Sequence, residues 1–113
     1  MYHGLDDLLA AYGYIREGDS YRVSGDQHRH TQIVLFCHFG VACVLLSRLL
    51  NISTQQLIHG LYLAPTSVTT VASEERDGHL ALWRCLGVGD ASHLLNANEP
   101  ISYSGFFGEQ DPY

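Results

Sequence analysis

Five consecutive apolar residues, Ile33-Val34-Leu35-Phe36-Cys37, constrain this chain more than any other feature. The run is rich in β-branched and aromatic residues and does not alternate. A strand with one wet face alternates with period two. A run without alternation fits a strand covered on both faces, as in a parallel sheet flanked by helices. His38-Phe39-Gly40 breaks the run, and Val41, Val44, Leu45 and Leu49 then mark a helix that is apolar nearly all round. Such a helix is expected to be buried. The succession predicts an α/β architecture with residues 33–37 as its central strand.

The flanking segments follow from shorter signals. Leu5, Leu8, Leu9 and Tyr12 recur at helical spacing, Asp6 and Asp7 suit the positive end of the helix dipole, and Gly13 is a stop, so a helix is expected over about 4–12. Residues 16–31 are polar and rich in turn formers, a loop with room for a short strand near Tyr21–Val23. Asn51 ends the apolar helix. Ser53-Thr54-Gln55-Gln56 forms a capping box, with Ile52 and Leu57 placed for a hydrophobic staple, and opens a short helix over about 54–60. Beyond Pro65, Ser67–Val71 and His79–Cys85 are strand-like and are joined through Arg76-Asp77-Gly78, which predicts an antiparallel hairpin. From Gly87 the chain turns Gly-, Ser-, Asn- and Pro-rich and is expected to be an ordered tail.

Length and charge exclude some partners. With 113 residues, one domain spanning 1–113 is expected, with a modest core. The net charge is −6, with six Arg and no Lys. A nucleic-acid surface needs a dense basic patch, so none is expected here. A single small anion is still within reach of arginine forks and backbone amides. The apolar stretch from Ile33 to Leu50 is interrupted by His38, Gly40, Ser47 and Arg48 and makes a poor membrane span. Cys37, Cys43 and Cys85 are an odd set, and two lie in apolar runs. Reduced buried thiols and a cytoplasmic location are expected rather than a disulfide framework.

Chemistry is expected after residue 37. Ligands of open α/β sheets bind beyond the carboxyl ends of strands, and a helix amino terminus there attracts phosphate. His38 stands at that junction, and Gly40 lets backbone approach a ligand. On spacing alone, a phosphate-contacting His38 and a His38 that merely caps a core strand stand level.

The stretch Ile33 to Val41, with the leucine-rich helix after it, resembles the second histidine motif of the histidine-phosphatase (phosphoglycerate-mutase-like) superfamily. Ala64-Pro65-Thr66-Ser67-Val68-Thr69, Ser73-Glu74-Glu75-Arg76 and Gly89-Asp90-Ala91-Ser92-His93-Leu94 add to the resemblance, which runs from about Gly4 to Glu109. It implies the C-terminal part of a three-layer α/β sandwich with a central, mostly parallel sheet and a C-terminal hairpin. It also implies a phosphatase or phosphomutase acting on phosphomonoesters. A first histidine, in an Arg-His-Gly motif, becomes phosphorylated; a second histidine, matched by His38, steadies the phosphoryl group. His38, Phe39 and Gly40 are the implied phosphate-binding residues, with no metal and no cofactor.

The chain departs from this pattern. It has no Arg-His-Gly, Arg29-His30-Thr31 lacks that motif's context, and Phe39 stands where the family often has Gly. It is therefore expected to be inactive alone, with a non-catalytic anion-binding or interaction module as the other reading. Self-association, most simply as a symmetric dimer, is expected because a partial sheet leaves an open edge. His28, His30 and His38 as a metal cluster, and Asp90-Ser92-His93 as a catalytic string, are the weaker readings. A solvated loop and an ordered tail suit them better.

Overall fold

The computed structural model describes residues 2–24, 31–76 and 79–103. In chain order these form α1 (Tyr2–Ala11), β1 (Tyr14–Glu17), β2 (Ser20–Val23), α2 (Phe39–Leu50), α3 (Thr54–Gly60), β3 (Val68–Arg76), β4 (Leu80–Asp90) and α4 (Ser92–Asn96). The strands make one antiparallel sheet in the order β1-β2-β4-β3. The expected central, mostly parallel sheet is therefore wrong.

Residues 33–37 overturn it most directly. They lie in no strand or helix, and Val34 and Phe36 are 70% and 96% exposed. The reason is a lack of partners. A parallel neighbour needs a crossover connection, whereas every described strand belongs to an antiparallel ladder. β2 joins the sheet through Tyr21↔Ala81 and Arg22↔Leu80, so β4 has strands on both sides at Leu80 and Ala81. Among the described strands, β1, β3 and β4 beyond Ala81 each have a side with no strand partner.

Alternation along the strands then sorts the two faces. Tyr14, Tyr21, Ala81, Trp83 and Val71 turn toward the helices, while Leu86 and Val88 on β4 stay exposed. The first core joins Leu5 and Leu9 of α1 to Tyr21 and Ala81, with Leu45 and Leu49 of α2 and Trp83 packed against it. The second joins Cys43 and Leu46 of α2 to Leu57 and Leu63, flanked by Val71 and Cys85. Helix α2 thus lies along one face of the sheet and bridges both cores. Trp83 is held between Tyr14 (5.4 Å between ring centroids) and Tyr21 (6.0 Å, edge to face).

Several boundaries follow the sequence. Ser53 Oγ accepts from the Gln56 N–H (3.1 Å), the capping bond expected at α3, although Ile52 remains 40% exposed. Asn51 adopts the left-handed conformation that ends α2. Gly13, at φ 91°, is required by close approach: a Cβ there would sit 2.7 Å from the Ser24 carbonyl oxygen. The hairpin is longer than expected, because β4 runs on through Gly87 to Asp90 and α4 replaces the expected tail. Its turn residues Asp77 and Gly78 lie outside the described residues.

Candidate functional site

His38 is the N-cap residue of α2, with extended backbone (φ −93°, ψ 166°). Its carbonyl accepts the first intrahelical bond, from the Ala42 N–H at 2.9 Å. Its imidazole is exposed and makes no capping bond, and no acidic residue lies in the first turn. The first-turn amides of any helix lack intrahelical partners and carry the positive dipole end. Here they belong to Phe39, Gly40 and Val41. His38 therefore caps a helix in water rather than a core strand.

The other two expected residues divide. The Phe39 ring packs away from this end, tilted against Tyr62 at 6.0 Å between centroids, with Tyr62 in turn stacked on Tyr103 at 5.9 Å. Gly40 is exposed, and nothing lies within 4 Å of where its Cβ would be. No close contact requires glycine there.

The arginines are engaged elsewhere. Arg48 donates to both carboxylate oxygens of Asp6 (2.8 and 3.4 Å) and lies over the Tyr2 ring. The hydrogen bonds from Arg48 hold the Asp6 carboxyl below its ordinary range, and the Tyr21 hydroxyl donates to it as well, at 3.1 Å. Arg16 spends its donors on the Gly18 carbonyl, the Arg48 carbonyl and Asn51 Oδ1 (2.6, 2.8 and 3.2 Å). Arg22 pairs with Glu17, and Arg76 and Arg84 share Glu74. Arg48 sits in the last turn of α2, at the far end from His38. A shallow open depression between Tyr2, Arg16, Asp19 and Ser47 lies over this network, but its guanidinium groups already have acceptors.

The network escaped the sequence reading. Asp6 was expected to serve the first turn of α1, but α1 starts at Tyr2, which puts Asp6 in the second turn facing Arg48. No local spacing links residues 42 apart. Glu74 pairs with Arg76 within strand β3. Asp90 accepts from the Ser92 N–H (2.9 Å), and His93 Nε2 lies 3.4 Å from Thr66 Oγ1, so Asp90 and His93 form no triad. His28 and His30 lie outside the described residues. Among the described residues no three His, Cys, Asp or Glu side chains come together to hold a metal ion. Cys43 is buried, Cys85 half-buried and Cys37 exposed, and none of the three forms a disulfide. No helix among the described residues is long and apolar enough to cross a membrane. Comparison with known proteins gives no family model, no curated protein and no solved structure that matches this chain.

Proposed function

We propose that this chain supplies the second-histidine half of a phosphate-handling site of the histidine-phosphatase kind, and that it does not turn over phosphomonoesters alone. The supporting observation is the placement of His38. An exposed imidazole stands beside three first-turn amides at the start of a 12-residue helix with no acid in that turn. Amides and dipole favour an anion there, and the imidazole adds a donor that can reach a phosphoryl oxygen. The motif order around His38 supplies the reaction class. The missing Arg-His-Gly removes the covalent step that would divide the reaction. The substrate side is a phosphorylated small molecule or phosphate itself. A cytoplasmic setting belongs to the same proposal and is supported by the three free thiols.

With the described arginines engaged elsewhere, affinity for phosphate is expected near millimolar, ~4 kcal/mol of binding. Titration of the chain with inorganic phosphate, followed by amide NMR shifts, tests this. Saturable shifts at Phe39 to Ala42, weakened in His38→Ala, are expected. Shifts confined to Arg29 and its neighbours, or none, overturn the phosphate reading. Turnover of an aryl phosphate that His38→Ala abolishes overturns the claim of inactivity.

A further inference from the structure

The chain contains an apolar segment outside the sheet and, among the described residues, a sheet edge without a neighbouring strand. Residues 31–38 lie outside every ladder, with Ile33, Val34, Leu35 and Phe36 exposed at 39, 70, 51 and 96%. An apolar segment exposed at four consecutive residues has two faces and two backbone edges to satisfy. β3 is the edge strand next to β4, so one side of its backbone faces no strand.

We propose that residues 31–37 of one copy add to the β3 edge of a second copy, and that the reciprocal addition closes a symmetric dimer. The proposal is independent of the phosphate reading. Three observations point to a second copy as the occupant.

The first is charge. The chain carries −6, so two copies repel except where charge is absent. Thr31 to Ser47 contains no Asp, Glu, Lys or Arg, and neither does Val68 to Ser73 at the start of β3. Both lie within Thr31 to Ser73, whose one charged residue is Arg48, so donor segment and edge can approach without like-charge contact. The charged end of β3, Glu74-Glu75-Arg76, is the part defended in the way edge strands usually are. The second is length. Seven extended residues, 31–37, span about 23 Å, and six, 68–73, span about 20 Å, at roughly 3.3 Å per residue. The third is count. Each chain brings one donor segment and one β3 edge, so the addition is reciprocal and two copies fill each other's β3 edge. That closure favours a dimer over a fibre.

Sedimentation of the full chain at micromolar concentration is the test, beside two variants made at exposed positions so that the fold survives. Val34→Asp with Phe36→Asp changes the segment; Val68→Lys with Thr70→Lys changes the edge. Wild type is expected to dimerise, and each variant is expected to weaken the dimer at least about tenfold with unchanged circular dichroism. A wild type that stays monomeric up to about 100 µM, too weak for a specific interface, overturns the proposal. So does a dimer that survives either variant, since it would be built elsewhere, for example on the exposed Leu86 and Val88 face. A wild-type monomer that instead retains an added partner protein through residues 33–36 also overturns it.

Discussion

Residues 33–37 and 80–86 are both strongly apolar, yet one run is exposed and the other runs through the sheet. Leu80–Leu86 has β3 close by in sequence, across a short turn, and Tyr21 and Arg22 of β2 on its other side. Its backbone pairs with β3 from Leu80 to Cys85 and with β2 at Leu80 and Ala81, and Ala81 is fully buried. The run 33–37 is at least as hydrophobic, but no described strand of its own chain pairs with its amides and carbonyls. Burying them unpaired would cost more than burying the side chains returns. Apolar composition shows that a segment is worth burying. A free ladder decides whether it can be.

The contrast gives a graded set of expectations. Tyr21→Ala should have the largest effect. Tyr21 is fully buried, packs edge-on against Trp83 and donates to Asp6, so unfolding in urea is expected to lose about 3–5 kcal/mol. A loss under about 1 kcal/mol would mean that the first core is not where the stability lies.

Asp6→Asn comes next, at about 1–2 kcal/mol near neutral pH, because it breaks a partly buried charged pair. Its pH dependence has a definite sign. The Asp6 carboxyl is depressed in the folded state by hydrogen bonds from Arg48, so the unfolded chain holds its proton to higher pH. The stabilisation is full above the ordinary carboxylate pKa of about 4 and fades as pH falls through the lower folded value. The variant should therefore lose stability less steeply below about pH 4. An acid limb identical to wild type would show that the pair does not form.

Ser53→Ala removes the α3 cap and is expected to cost about 1 kcal/mol. Phe36→Ala should be the smallest, within about 0.5 kcal/mol for the monomer in dilute solution, although it deletes a large aromatic ring. A cost like that of Tyr21→Ala would place Phe36 inside a core and dissolve the contrast between the two segments.

What the sequence made legible was local. The Ser53 cap, the Asn51 and Gly13 stops, the short strand at Tyr21–Val23 and the β3–β4 hairpin all depend on residues within a few positions of each other or across one turn. The position of His38 at the head of a helix was legible for the same reason. What the sequence did not show was set by pairing at long range. The exposure of 33–37 depends on which strands exist to receive it, and β1, β2 and β4 close on each other instead. The resemblance to histidine phosphatases implied a mostly parallel sheet whose further strands do not exist among the described residues. The second misplacement, of Asp6, came from a helix that begins two residues early. That shift exchanged a dipole contact for an ion pair with Arg48.

Hydrogen exchange at single-amide resolution, in a dilution series of the full chain, tests the central claim most directly. At the lowest concentration the amides of Val34 to Cys37 should exchange at rates close to those of an unstructured peptide. Ala81 to Cys85 should be protected by a substantial share of the global unfolding free energy. Protection of 34–37 should appear only as concentration rises, in step with dimer formation. Protection of those amides that matches β4 and is independent of dilution would put the segment inside the chain's own sheet and contradict the account.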